Sequence, residues 1–241
     1  MAMASSQCLV NPPILSPTCG AGTVQELAGL KTYVTGPSDS KLAILFLSDG
    51  FGYEAPLFRK LADKVAASGF LVVAPDFFYG EPVDVRIPHF DGDAWVKAHD
   101  TDKGYEDAKP VIGALKSKGV SAIGAAGFCW GGKVAVKLAS TNDIQAAVLL
   151  HPTWVTVDDI KEVKIPVAIL GAEIDLYCPV EQVKQFAEIL SIKSVIDSFV
   201  KTFPGVSHGW TVKYKVEDES AVKNAEEAHE DMLNWFTKHV K

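Results

Sequence analysis

The chain of 241 residues is 48% hydrophobic and 22% charged, the balance of an ordinary globular protein and a length that α/β folds often fill as one unit. Its 30 acidic and 23 basic residues give a net charge of −7 with no Lys/Arg cluster, which excludes a nucleic-acid footprint. No apolar run nears the roughly 18 residues of a membrane span, and the four cysteines, Cys8, Cys19, Cys129 and Cys178, lack the C-x-x-C spacing of a zinc site, so no metal is expected.

In chain order, Met1 to Cys8 has neither a charged n-region with an apolar h-region nor the arginines of a transit peptide. A reduced, cytoplasmic setting is therefore expected. Residues 1–27 read as an irregular N-terminal arm, which leaves a pairing of Cys8 with Cys19 open, and residues 28–241 as one domain. Leu30–Val34 alternates and predicts an edge strand. Leu42–Leu47 is continuously apolar, the mark of a parallel strand covered on both faces. Pro56–Ser68 predicts a helix with Leu57, Leu61 and Val65 on one face and Gly69 as its stop. Phe70–Ala74 is the next buried strand, ended by Pro75. From Asp76 to about Asp100 the chain turns to Pro, Gly, Asp and aromatics, a long excursion of the kind that carries substrate contacts.

A helix is expected over Tyr105–Lys118 and a short buried strand over Val120–Ala126, followed by Gly127-Phe128-Cys129-Trp130-Gly131-Gly132 and a helix start at Lys133. Further strands are expected at Ala146–Leu150, Val167–Gly171 and Phe199–Phe203, with helices near Val180–Leu190 and Glu219–His239. This alternation predicts a mostly parallel α/β sheet covered by helices on both sides, with its chemistry beyond the carboxyl ends of the strands.

The strand, the glycine-flanked Cys129 and the helix together make a G-x-Nuc-x-G elbow with Cys in place of Ser. Glycines two before and two after the nucleophile let strand and helix pass closely, and the helix N-terminus favours thiolate over thiol. Gly127-x-x-x-x-Gly132-Lys133 also matches the first seven positions of a P-loop. Val134 then stands where the Mg²⁺-binding hydroxyl is needed, and Phe128 and Trp130 crowd a loop that must wrap phosphate. Asp175 and His208 each follow a strand end on the elbow's rim, in the order nucleophile, acid, His. His208 is expected to exchange protons with the thiol, and Asp175 to orient the imidazole. Glu173 is the local rival of Asp175. Backbone N–H groups of Gly50 and Trp130 are the expected oxyanion donors. Asp49, at the end of Leu42–Leu47, either faces the thiol or caps the turn into the following helix. His151 is expected to pack rather than react, and His89, His99, His229 and His239 to lie on the surface.

The elbow, the Asp49-Gly50-Phe51-Gly52 loop, Asp175 and Gly205-x-x-His208-Gly209 together resemble the dienelactone hydrolase family of α/β-hydrolases, over about residues 28–240. The chain looks most like the plant cytosolic members. Some of these carry the name endo-1,3;1,4-β-glucanase, which would call for a carboxylate pair across a sugar cleft. The resemblance implies an α/β-hydrolase fold and hydrolysis of an ester or lactone through a thioester, with Cys129, Asp175 and His208 as triad and no cofactor. It also implies that Asp49 holds the resting thiol, where the bacterial enzymes use Glu. Those enzymes bind a substrate carboxylate with arginines; here Val212 stands where one is expected after the His, with Lys213 adjacent, and Arg86 is the only Arg of the excursion. Phe51, Tyr79, Arg86, Trp210 and Lys213 are the expected substrate contacts. The expected partner is a small neutral or larger ester or lactone, with no nucleic acid or membrane, and the chain a monomer or homodimer. A non-hydrolytic enzyme or binding protein on the same fold, and a glucan hydrolase, are the alternatives.

Overall fold

The structure, a computed structural model, describes residues 11–241. Cys8, its pairing with Cys19 and the first ten residues of the expected arm lie outside the described residues. The rest of that arm is not all irregular. Thr23–Leu27 forms β1, joined to β2 (Leu30–Thr35) by a two-residue turn in which Ala28 and Gly29 both have positive φ, 54° and 82°. Two left-handed residues match the twist of a tight hairpin. Leu30–Val34 is consequently not an edge. β2 is flanked by β1 and by β4 (Leu71–Pro75), antiparallel to both, and β1 takes the edge.

The continuous apolar runs become the parallel centre. β3 (Leu42–Leu47), β5 (Ala122–Phe128), β6 (Ala146–Leu150), β7 (Val167–Ile174) and β8 (Ser198–Ser207) complete a sheet of order β1-β2-β4-β3-β5-β6-β7-β8. α1 (Pro56–Ala66) and α7 (Glu219–His239) bury their apolar stripes on one face, while α3 (Thr101–Ser117), α4 (Trp130–Ala139) and α6 (Val180–Ile192) cover the other. Two short helices were not legible in the sequence. α2 (Gly92–Ala98) lies inside the expected excursion, with Asp91 accepting from the Ala94 N–H, and α5 (Val157–Glu162) follows β6 behind a Thr156–Asp159 capping box. α3 starts four residues earlier than expected, where the Asp100 carboxylate accepts from the Asp102 N–H. Among the described residues no helix is long and apolar enough to cross a membrane.

Beneath the elbow the rings of Phe46, Phe58 and Phe128 meet pairwise at 5.3–5.5 Å, tying β3, α1 and β5 into one block. Such aromatic pairs contribute about 0.5–1.5 kcal/mol each beyond the area they bury. A second tie involves Arg59 of α1, which is buried. Its Nε donates to the Tyr53 carbonyl at 2.9 Å and its Nη1 to the Pro17 and Cys19 carbonyls at 3.0 Å, with the guanidinium lying 4.6 Å from the Tyr33 ring. One planar fork thus joins residues 17–19 to α1 and β2. Arg59→Lys keeps the charge but not the fork. It should lower the unfolding free energy by about 2 kcal/mol in urea titrations and expose the segment around Pro17 to limited proteolysis. A change under about 0.5 kcal/mol would mean that these bonds contribute nothing.

Candidate active site

β5 delivers Cys129 in a left-handed conformation, φ 51° and ψ −109°, and α4 begins at the next residue. The glycine frame is steric. A Cβ on Gly127 would run into the Gly131 carbonyl, and one on Gly131 into the Leu47 carbonyl, while Gly132 lies against Pro152. Left-handed backbone at a non-glycine residue costs roughly 1–3 kcal/mol and persists only where the surroundings over-determine it. Here the Cys129 N–H donates to the Leu150 carbonyl at 3.1 Å, and the Cys129 carbonyl accepts from Gly132 and Thr153, both at 3.0 Å. The Gly131 N–H donates to the Ser48 carbonyl at 3.1 Å, which locks the helix start to the end of β3. Cys129 itself is buried at 2% exposure.

His208 follows β8 and Asp175 follows β7. Their wholly buried side chains meet at 2.8 Å between Nδ1 and Oδ2. The other carboxylate oxygen accepts from the Tyr177 and Cys178 N–H groups at 2.8 and 3.3 Å, so Asp175 is held from both sides. β7 runs on to Ile174, past its expected end at Gly171, through an irregular register between Ala172 and Ile174. That extension turns Glu173 outward, where its carboxylate accepts from the Gly205 N–H at 2.6 Å, and leaves Asp175 as the acid on the imidazole. Burial pulls the His208 pKa down. The charge of the Cys129 sulfur and the hydrogen bond to Asp175 overcome it and push the ring up to about 9. The buried Cys178 thiol contrasts with this, since burial and Asp175 push it up to about 12.

The loop after β3 brings Asp49 to the same place. Asp49 is buried, and its Oδ1 accepts from the Phe51 N–H at 3.0 Å. That bond caps the turn that leads toward α1, as the second of the two expectations for Asp49 has it, while the helix's own N-cap is Ala55. Burial raises its pKa, opposed by the positive charge of Lys213, the Phe51 N–H and His208. Lys213 is buried too, with its Nζ 5.3 Å from the centre of the Phe51 ring. Among the described residues neither the Gly50 nor the Trp130 N–H donates to a protein acceptor. The Trp130 indole is turned away, packing on Phe77 and Phe78 and donating to the His99 carbonyl at 2.8 Å.

Two side chains in this cluster were not named as site residues from sequence. The Thr153 hydroxyl lies 3.2 Å from the Cys129 sulfur. His151, fully buried, sets its ring edge-on to His208 at 5.1 Å and pairs its Nε2 with the Thr211 hydroxyl at 2.8 Å. Burial and the charges of His208 and Lys213 hold the His151 pKa well below 6.5. Both residues follow β6 at its carboxyl end, the one signal that could have found them. Two other histidines expected at the surface are buried. His99 stacks on Trp95, and His229, its pKa lowered to about 4 chiefly by burial, bonds the Thr211 carbonyl.

Of the expected substrate contacts, Phe51, Trp210 and Lys213 gather here, Trp210 packing against His151 and Phe203. Tyr79 does not. It is half exposed, its hydroxyl donates to Asp107 at 2.8 Å and accepts from Lys103 at 2.7 Å, so it belongs to the surface of α3. Arg86 is held by Asp84 in a two-bond fork at 2.7 and 2.8 Å. It lines a cavity of about 810 Å³ with Phe51, Trp95 and His99, and Cys129 is not in the wall of that cavity. Among the described residues no three His, Cys, Asp or Glu side chains gather as metal ligands.

The dienelactone hydrolase family model matches residues 30–240. An endo-1,3;1,4-β-D-glucanase of Zea mays is 45% identical over 195 residues, which are 78% of this chain and 63% of that relative, so the match spans under two thirds of its length. A carboxymethylenebutenolidase homolog of Mus musculus is 33% identical over 227 residues, 92% of each chain. A dienelactone hydrolase-like promiscuous phosphotriesterase from metagenomic libraries shares the fold with a TM-score of 0.69 at 18% identity, covering 90% of this chain and 97% of its own.

The charge balance at His208 is testable by NMR titration of its ring. A midpoint near 9 is expected in the wild type, so the ring is protonated at neutral pH. Cys129→Ala removes the sulfur's charge, one of the causes that raise the pKa, and leaves burial opposed by Asp175 alone. The midpoint should therefore fall. An unchanged midpoint in Cys129→Ala would mean that the sulfur does not act on the ring.

Proposed function

The chain belongs to the dienelactone hydrolase family, and we propose that it hydrolyses small neutral esters or lactones through a thioester formed on Cys129. The observation that carries this reading is the wholly buried His208–Asp175 pair, 2.8 Å apart, in the same cluster as Cys129, which is itself buried at the start of α4 between Gly127 and Gly131. In this mechanism the sulfur attacks the substrate carbonyl carbon. The carbonyl oxygen gains charge and takes hydrogen bonds from the Gly50 and Trp130 N–H groups, donors that need no reorganisation as the charge develops. His208 gives its proton to the leaving alkoxide, or to the ring oxygen of a lactone, and the thioester remains. It next takes a proton from water, whose oxygen attacks the thioester carbonyl, and keeps that proton as the acid product leaves and the sulfur departs as thiolate, which restores the starting pair. Asp175 keeps the imidazole in register and stabilises its charged form.

The neutrality of the substrate follows from charge compensation. The charge of buried Lys213 acts on the buried carboxyl of Asp49, and Arg86 is forked to Asp84, so each expected cation already has an acid beside its charge. A substrate carboxylate would have to displace an existing partner. The glucanase reading finds less support, because a glycosidase needs one carboxylic acid and one carboxylate facing across the sugar. Here Asp175 is committed to His208, Tyr177 and Cys178, and Asp49 to the Phe51 N–H.

The test is turnover of the wild type and Cys129→Ala on neutral aryl esters, lactones and a mixed-linkage β-glucan. Ester or lactone hydrolysis should fall well over tenfold in kcat/KM, a loss above about 1.4 kcal/mol of transition-state stabilisation. Retention of more than a tenth of the activity, or glucan cleavage that survives the substitution, contradicts the proposal.

A further inference from the structure

The turn after β6 touches both halves of the reacting pair. His151 packs edge-on against the His208 ring, and two residues later the Thr153 hydroxyl lies 3.2 Å from the Cys129 sulfur. The turn is tightly specified. His151 and Trp154 both have left-handed backbone, φ 38° and 59°, which non-glycine residues adopt only when held there. The holding contacts run in four directions. The His151 N–H donates to the Leu170 carbonyl at 2.8 Å, the His151 ring pairs with the Thr211 hydroxyl at 2.8 Å, Pro152 packs on Gly132, and the Thr153 N–H donates to the Cys129 carbonyl at 3.0 Å. Thr153 is entirely buried, so its hydroxyl has no access to bulk water.

We propose that Thr153 is a positioning residue for the nucleophile, its hydroxyl donating to the Cys129 sulfur when that sulfur is a thiolate. The inference rests on Cys129 being the reacting thiol. A thiolate taken out of water needs donors to replace the lost hydration, and a buried hydroxyl needs a partner. The one contact supplies both. It also sets the direction of the sulfur, because Thr153 is fixed to Cys129 through the backbone as well as the side chain. Among the described residues the titratable and charged groups around this centre are His208, Asp175 and Cys178 from the ends of β8 and β7, Tyr177, whose ring lies 5.0 Å from that of His208, His151 from the same turn, Asp49 from the end of β3, and Lys213. None of them lies on α4, whose N-terminus adds its own partial positive charge.

The experiment is the pH profile of Cys129 alkylation by iodoacetamide, read by mass on the peptide that contains it, in the wild type, Thr153→Val and Thr153→Ser. Val keeps the branched shape and removes the hydroxyl; Ser keeps the hydroxyl. The midpoint should move up by about one pH unit or more in Thr153→Val and stay near the wild-type value in Thr153→Ser. In ester hydrolysis kcat should fall in Thr153→Val with KM little changed. Superimposable profiles for wild type and Thr153→Val overturn the proposal, as does an equal shift in Thr153→Ser, which would assign the effect to packing. Should Thr153→Val fail to fold, Thr153→Ala carries the same comparison. Labelling reads the thiol whether or not the protein turns over ester. A shifted profile in a protein without hydrolase activity would thus overturn the proposed function and leave the role of Thr153 standing.

Discussion

A side chain presented at the tip of this strand-to-helix turn sits on left-handed backbone, and that single constraint organises this molecule. Cys129 can hold φ 51° only because Gly127 and Gly131 have no side chains to collide with the carbonyls beside them. The closeness these glycines permit sets the rest. It seats α4 on β5, brings the Gly131 N–H onto the Ser48 carbonyl, and so fixes the loop that carries Asp49, Gly50 and Phe51. Any residue larger than glycine at position 131 would push the helix off β3 and move the thiol with it.

The second organising feature is the management of buried charge. Asp49, Asp175, His151, His208 and Lys213 are all buried within one rim, and an isolated charge there would be costly. Asp175 takes three hydrogen bonds. His208 is held by Asp175, the positive charge of Lys213 offsets the burial of Asp49, and burial keeps the His151 pKa well below 6.5. In such a set no member titrates alone. The protonation of His208 depends on the sulfur and on Asp175, and the His151 ring is kept neutral by burial first and by the charges of His208 and Lys213 after it. A substrate that adds negative charge would disturb every pair at once, whereas a neutral carbonyl disturbs none until it begins to react.

Much of this was legible in the sequence, for identifiable reasons. The elbow showed because its glycines answer a steric need at fixed spacing. The parallel centre showed because strands covered on both faces are continuously apolar. Asp175 and His208 showed because they follow strand ends in the expected order. What was missed lacks such signals. β1 exposes four of its five residues, so no apolar alternation marks it. α5 buries only Ile160 and is set by a polar capping box. Arg86 and Tyr79 sit in the excursion as composition suggested, but local pairing with Asp84 and Asp107 decides where they point. Thr153 and His151 reach the site through tertiary packing of a turn, and no periodicity encodes that.

The central claim is that the Cys129 sulfur becomes covalently acylated during turnover. Rapid quenching of the protein with an activated neutral ester, followed by intact-mass measurement and peptide mapping, tests it most directly. The account predicts a mass increase of one acyl group, located on Cys129 and removed by hydroxylamine as a thioester is. Sustained hydrolysis with no adduct, or with the acyl group on another residue, would contradict it.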